Sequence, residues 1–292
     1  MTRTGLSFDA LLPAEMARKA EQVGVAKAAQ NAVRTLALAV LAGAFIALGA
    51  MFATTVASSA GPTLPSGIIR LLSGLVFSLG LILVVVGGAE LFTGNNLIVM
   101  AWASRRLSHA ALLRNWTIVY LGNFAGAIGT VLLVLLSQQY MFDSGAIGRA
   151  ALATARHKVE LGFLQAIVLG ILANGLVCLA VWLSFSARTT TDRILAVIFP
   201  VTAFVAAGFE HSIANMYFVP LGILIRTQAP ASFWAAIDAG PADYSGVTWP
   251  AFLLHNLLPV TIGNVIGGVV LVGATYWFVY LRTQHAQSEG RA

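Results

Sequence analysis

Six long apolar stretches dominate this chain, and each is long enough to cross a lipid bilayer as a helix. A helix needs about 20 apolar residues for one crossing. Only 10% of the residues are charged, whereas soluble domains carry about 25%. The sequence therefore predicts an all-α membrane protein with six transmembrane helices. The stretches lie at roughly 35–57, 70–103, 114–137, 160–186, 194–226 and 252–281.

The second and fifth stretches are too long for one straight crossing, and each contains a polar interruption. The interruptions read GAELFTGNN at 88–96 and GFEHSIANM at 208–216. Irregular backbone at membrane depth occurs only where protein or a water-lined cavity satisfies its polar groups. We therefore predict that helices 2 and 5 are interrupted within the membrane.

The two interruptions match when they are aligned on their glutamates. Glycine, glutamate and asparagine recur at the same spacing, as Gly88, Glu90 and Asn95 and as Gly208, Glu210 and Asn215. Gly122-Asn123 and Gly263-Asn264 match in the stretches that follow. Three crossings per half predict a three-plus-three inverted repeat, with a substrate path near the midplane. Aquaporin-like channels share this plan but carry Asn-Pro-Ala twice, a motif that neither interruption contains.

The basic residues predict the orientation of the chain. With the N-terminus inside, twelve of the 17 lysines and arginines fall in cytoplasmic segments and five fall outside. This bias follows the positive-inside rule and explains the net charge of +6 without a nucleic-acid partner. We predict a multi-pass protein of the bacterial inner membrane with both termini cytoplasmic. Its expected divisions are an amphipathic segment 1–34, a channel domain 35–282 and a tail 283–292.

One histidine, His211, lies well inside a predicted crossing, where an ionisable group costs a few kcal/mol. Its side chain titrates near neutral pH and can donate a hydrogen bond, or pass a proton, to a small anion. The N-termini of half-helices add a partial positive field, so a monovalent anion is favoured over a cation. Ionised carboxylates on the path would repel an anion. We therefore expect a structural role at the breaks for Glu90, Glu210, Asn95 and Asn215.

Other residues allow two interpretations on sequence alone. Thr93 at the first break can face His211 across a pore. Lys158 precedes the fourth crossing, where it either concentrates anions or snorkels towards water as an ordinary lysine. Large apolar residues near the breaks form either constrictions or ordinary packing, namely Phe77, Leu81, Leu91, Phe92 and Phe204.

Four stretches closely resemble the formate/nitrite transporter family, and its formate channels in particular. They are GAELFTGNN, KVELGFLQAIVLGILANGLVCLAVWLS, GFEHSIANMYFVP and NLLPVTIGNVIGGVVLVGATYW, and the resemblance runs from about residue 30 to 282. It implies a homopentamer with an aquaporin-like fold, a pore in each protomer and a central hole plugged by membrane lipid. It also implies passage of formate, linked to protons or dependent on pH. Nitrite and hydrosulfide remain alternative substrates.

The resemblance further implies individual roles. The central histidine of the family corresponds to His211, the loop threonine to Thr93, the vestibule lysine to Lys158 and a pore asparagine to Asn174. Apolar slits would lie at Leu81, Leu91 and Phe204 on one side of the histidine, and at Phe77, Phe92 and Val177 on the other. One departure is Gly94-Asn95-Asn96 after Thr93, where formate channels carry small hydroxyl residues.

Two other classes of function fit the sequence less well. An enzyme would show more convergent polar groups or a cofactor motif. A single cysteine, Cys178, and no Cys/His cluster favour neither a metal nor a disulfide. A neutral-solute channel of the water or glycerol type usually carries an arginine in its filter, and no predicted crossing has one in its interior. We expect the anion either to cross as its neutral acid or to bind a protonated His211.

Overall fold

The computed structural model describes residues 10–59 and 64–282, and none of these is in a β-strand. The predicted tail 283–292 lies outside the described residues. Five helical segments among the described residues are long and apolar enough to cross a membrane. The prediction of an all-α membrane protein is confirmed at this level. The five segments are Ala32–Ser58, Ser66–Gly87, His109–Leu136, Phe163–Ser186 and Pro241–Tyr280.

The first half of the described chain contains three long helices and three shorter ones. The polar helix α1 buries small side chains such as Ala17, Ala20 and Ala28, and the Asn31 side chain caps the start of the helix that follows. The helices are α1 (Pro13–Ala29), α2 (Ala32–Ser58), α3 (Ser66–Gly87), α4 (Phe92–Asn95), α5 (Val99–Ala103) and α6 (His109–Leu136).

The second half begins with an amphipathic helix and ends with one continuous helical rod. That rod joins its last three α-helical segments through π-helical turns at Phe252–Leu257 and Gly267–Ala274. The helices are α7 (Ala146–Val159), α8 (Phe163–Ser186), α9 (Thr190–Ala206), α10 (Ser212–Gln228), α11 (Ala231–Ala236), α12 (Trp249–Ala251), α13 (Leu258–Ile266) and α14 (Thr275–Tyr280).

Both predicted interruptions are places where a helix ends and another begins. After α3 the chain turns at Gly88 (φ 81°), and after α9 it turns at Gly208 (φ 77°). Glycine adopts this left-handed conformation without steric cost. Extended residues follow, Leu91 before α4 and His211 before α10. The interruptions in the sequence are therefore breaks in the helices.

Close helix packing positions the two breaks. A side chain on Gly126 of α6 would collide with the Val40 carbonyl of α2. A side chain on Gly267 would collide in the same way with the Ile171 carbonyl of α8. Small residues allow membrane helices to approach this closely. Each of these close pairs flanks one break, so the polar backbone at the break is enclosed by protein.

Candidate functional site

The site is centred on His211, which is the N-cap residue of α10 and is buried. Its Nδ1 accepts a hydrogen bond from the Ala214 amide at 3.2 Å. A nitrogen that accepts carries no proton, so we assign the proton to Nε2 and treat the ring as neutral. Nε2 lies 2.9 Å from Thr93 Oγ1 and donates to it. The Thr93 hydroxyl hydrogen is left to donate to another group.

Aromatic side chains lie directly beside this pair. The ring centroid of Phe204 is 5.9 Å from that of His211 and 5.7 Å from that of Phe77. Val177 is also buried. The Phe92 ring packs edge-on against Trp116 and Tyr120 of α6.

A cavity of about 300 Å³ opens between α1, α3 and the first break. Leu81 and Leu91 form part of its apolar wall. Lys19, Lys27 and Arg193 bring positive charge to the same cavity. The amine of Lys19 donates to the Phe185 carbonyl at 2.8 Å. Burial lowers the pKa of Lys19 below its usual value, and the charges of Arg193 and Arg188 lower it further.

A closed polar network braces the first break. Glu90 accepts hydrogen bonds from Lys27 Nζ (3.0 Å) and Asn95 Nδ2 (2.7 Å). Asn95 also accepts from Lys27 (2.9 Å) and donates to Asn115 (2.9 Å). Asn115 donates in turn to the Lys27 carbonyl at 3.3 Å. The carboxylate, which also lines the cavity, is therefore held by an ion pair and an amide.

A network of the same composition braces the second break. Glu210 accepts from Lys158 Nζ (2.8 Å) and from Asn215 Nδ2 (2.7 Å). Asn215 donates to Asn256 Oδ1 (2.8 Å), and Asn256 donates to the Lys158 carbonyl (2.9 Å). Lys158 also lies 5.3 Å from the ring centroid of Phe218. The lysine that sequence reasoning treated as a lone charge is thus part of a buried ion pair.

A further asparagine in each half holds the start of the half-helix. Asn123 accepts from the Phe92 amide (2.9 Å) and donates to the carbonyls of Ala39 (2.8 Å) and Glu90 (2.9 Å). The same three bonds recur around Asn264, with Ser212, Gly170 and Glu210. Buried backbone groups that the breaks remove from helices are satisfied in this way.

Sequence reasoning missed Lys27, Asn115 and Asn256 as members of the site. The asparagines left a readable signal, because one lies eight residues before Asn123 and the other eight residues before Asn264. The two lysines could not be recognised as a matching pair from their spacing. Lys27 precedes Glu90 by 63 residues, whereas Lys158 precedes its glutamate by 52, so an alignment on the glutamates does not superimpose the two lysines.

Asn174, which the resemblance assigns to the pore, has its hydrogen bonds with residues other than Thr93 and His211. Its Nδ2 donates to Asn96 Oδ1 at 2.8 Å and to the Asn264 carbonyl at 2.6 Å. Both amide hydrogens are therefore engaged.

Comparison with known proteins places this arrangement in a family. The family described as "Formate/nitrite transporter" matches residues 14–278. The formate channel FocA of Escherichia coli (strain K12) is 50% identical over 275 residues, covering 94% of this chain and 96% of that protein. The FocA of Haemophilus influenzae is 41% identical over 269 residues, covering 92% and 94%.

Solved structures show the same similarity. A pentameric formate channel with formate bound is similar at a TM-score of 0.80 and 46% identity, covering 86% of this chain and 98% of that one. A second structure, an ion channel of the same family, is similar at a TM-score of 0.75 and 28% identity, covering 91% and 98%. With its paired helix breaks, its buried Thr93–His211 contact and these matches along nearly its whole length, the chain belongs to the formate/nitrite transporter family.

Proposed function

We propose that this chain is a membrane channel for formate, which crosses together with a proton through a pore in each protomer. The observation that carries the proposal is the Thr93–His211 pair, a hydrogen-bonding site buried among apolar side chains at the N-terminus of α10. The similarity to formate channels over nearly the whole chain supports the choice of formate.

The sequence left two mechanisms open, passage of the neutral acid and binding of the anion to a protonated His211. The hydrogen bonds of His211 favour the first. A protonated ring would direct an Nδ1 hydrogen at the Ala214 amide, which is itself a donor. The helix cap therefore opposes an imidazolium. Formate then crosses as formic acid, HCOOH, after taking up one proton in a vestibule. The Thr93 hydroxyl hydrogen donates to a carboxyl oxygen of the acid as it passes.

The apolar surroundings of the pair explain why the proton travels with the anion. Moving an ionised carboxylate from water into apolar surroundings is very costly unless it is paired. Phe204, Phe77, Leu81 and Leu91 are each no more than 3% exposed and provide no charge to pair it. The neutral acid avoids most of this cost. Passage should therefore speed up as the solution becomes more acidic and more formate is protonated.

The two lysines are proposed to attract anions at the two ends of the path. Lys27 lies at the cavity beside Leu81 and Leu91, and Lys158 lies at the second network. Each is paired with a glutamate, so each pair is neutral overall and its attraction is short in range. Lys19 and Arg193 add positive charge at the first cavity and extend its reach.

The proposed architecture has six crossings in a three-plus-three inverted repeat. The matched networks at Glu90 and Glu210 support it, with α9 and α10 together forming the fifth crossing. Both termini are proposed to be cytoplasmic, and the assembly a homopentamer, as in the pentameric formate channel. Native mass spectrometry tests the pentamer. Labelling of single cysteines added to residues 1–9 and 283–292 in sealed cells tests the sidedness.

Formate flux into proteoliposomes at two pH values tests the function. We expect wild-type flux to rise at the lower pH. His211→Phe should reduce flux at least tenfold at both pH values, and the remaining flux should still rise at the lower pH, whereas His255→Phe at an exposed histidine should leave flux unchanged. Unchanged flux in His211→Phe would refute the role of the histidine. Nitrite and hydrosulfide flux, and swelling in glycerol, test the other substrates and the neutral-solute alternative.

A further inference from the structure

The buried polar residues around the breaks fall into two sets. One set occurs twice, with the same residue types in both halves, in the networks of Glu90 and Glu210. The other set occurs once. It contains the Thr93–His211 pair and the residues bonded behind it, and it has no polar counterpart in the other half.

The counterparts follow from backbone contacts. The amides of Glu90 and Glu210 bond to the carbonyls of Leu38 and Leu169, and the matched asparagines bond to those of residues 39 and 170. Residues 38 and 39 of α2 therefore match residues 169 and 170 of α8, an offset of 131 residues in both pairs. The breaks themselves are offset by 120, from 90 to 210. These offsets pair the single set with apolar residues: Leu91 for His211, Ile213 for Thr93, Met216 for Asn96, Gly43 for Asn174 and Ala47 for Cys178.

The unmatched residues are connected in one chain of contacts. Cys178 Sγ lies 3.3 Å from the Thr93 carbonyl and 3.8 Å from Asn174 Oδ1. A thiol has one hydrogen, and the shorter contact assigns it to Thr93. Asn174 continues the chain to Asn96 Oδ1. Four members are fully buried and His211 is 3% exposed, so the contacts are shielded from water.

We propose that Cys178 is a positioning residue of the pore, which holds the Thr93 backbone so that its hydroxyl meets His211. Thr93 lies in α4, a helix of four residues, which by itself has few hydrogen bonds to fix its orientation. Its carbonyl accepts the Asn96 amide within the turn, and the thiol takes the second lone pair from outside. A polar site works only when supporting groups fix its geometry.

A packing role is the competing explanation, because buried cysteine often behaves as a small apolar residue. The counterpart position argues against it. Ala47 is equally buried in α2 and supports the first half without a sulfur atom. The sulfur occurs only on the side where a threonine hydroxyl has to be oriented.

The inference rests on the proposed function, and a double-mutant cycle tests it. Formate flux into proteoliposomes is measured for wild type, Cys178→Ala, Thr93→Val and the double variant. Cys178→Ala should lower flux about two- to fivefold, as expected for one weak hydrogen bond. It should lower flux less than about 1.5-fold when Thr93 is already valine, because coupled residues are not additive. An equal reduction in both backgrounds overturns the proposal.

Two further variants separate positioning from packing. Ala180→Gly removes one buried heavy atom from the same helix, α8, and installs the residue of its own counterpart, Gly49. It should leave flux within about twofold of wild type. Cys178→Ser keeps a donor and should recover at least half of wild-type flux. A serine variant as slow as the alanine variant, with both pentamers intact, overturns the proposal.

Failure of the proposed function gives a different result. If wild-type protein passes nitrite and not formate, the substrate is wrong, and the same cycle measured with nitrite decides the role of Cys178. If Cys178→Ala does not assemble, the cycle is run with Cys178→Ser and Thr93→Val. In that case the inference predicts at least half of wild-type flux for the serine variant. The double variant should have the same low flux as Thr93→Val alone.

Discussion

The two helix breaks share one polar scaffold, yet only one of them has a histidine directly before the new helix. A lysine, a glutamate and three asparagines surround both breaks, and at each break the glutamate accepts from the lysine and from one asparagine. The residue that precedes the new helix differs, being Leu91 at the first break and His211 at the second. Under the proposed function, the shared networks hold both broken helices, and the residue that meets the substrate occurs at one break only.

The scaffolds also differ in how deeply they are buried. The Lys27 side chain is 29% exposed, whereas that of Lys158 is 11% exposed. The helix after the first break has four residues, and the helix after the second has 17. The second break is therefore the more enclosed of the two, and its ion pair should matter more.

The largest expected effect comes from removing the carboxylate charge. Glu210→Gln leaves Lys158 charged and buried without a partner, which costs about 3–5 kcal/mol of stability. Glu90→Gln should cost less, about 1–3 kcal/mol, because the Lys27 amine reaches water. Thermal unfolding of the purified protein in detergent measures both. A larger loss for Glu90→Gln would contradict the comparison of burial.

The matched asparagines should give the next largest effect. Asn123→Ala and Asn264→Ala each leave an amide and two carbonyls without a partner, at a cost of about 2–4 kcal/mol. Because the two contact sets are alike, the two losses should agree within about 1 kcal/mol in the same unfolding assay. Asn31→Ala, at an exposed helix cap, is the control and should cost about 1 kcal/mol. Clearly unequal losses would show that the scaffolds are not equivalent.

His211→Leu makes the second break resemble the first and tests the separation of tasks. We expect formate flux to fall at least tenfold, which corresponds to about 1.4 kcal/mol of barrier. Stability should change by no more than about 1 kcal/mol, because the imidazole has no bond to the glutamate networks and only its cap on the Ala214 amide is lost. If His211→Leu also lowers the free energy of unfolding by much more than about 1 kcal/mol, the histidine is part of the scaffold.

The smallest effect is expected at the two glycine turns. Gly88→Ala and Gly208→Ala place a side chain in a left-handed conformation with open space around it, at a cost of about 1 kcal/mol each. Unfolding temperatures of the two variants should match. A much larger loss at one turn would mean that the space around it is occupied in the assembled protein.

Much of the fold was predictable because membrane proteins impose simple rules on sequence. Apolar length predicted the long helices, and the polar interruptions predicted the breaks. The family, predicted from four stretches, is confirmed. The contact of Thr93 with His211 was expected, since two breaks in one repeat approach the same midplane. The proposed constrictions, by contrast, rest on the resemblance. The sequence alone does not distinguish a large apolar residue that lines a pore from one that packs in a core.

The pairing of charges was not predictable. Lys158 was expected to act alone at an outer mouth, and Lys27 was counted only as a cytoplasmic charge. Both lie in networks with a glutamate that is more than 50 residues away. The bonds from the Asn174 amide to Asn96 and to the Asn264 carbonyl were likewise not predicted.

The sequence by itself determined the helical membrane class, the positions of the breaks and the family, because these depend on local composition and spacing. Apart from the Thr93–His211 contact, only the tertiary structure decided which polar groups meet. Hydrogen bonds and ion pairs act over about 3 Å, and helix packing alone brings residues from distant segments that close. It brought Lys27 to Glu90, and it joined Cys178 to Thr93 behind the histidine.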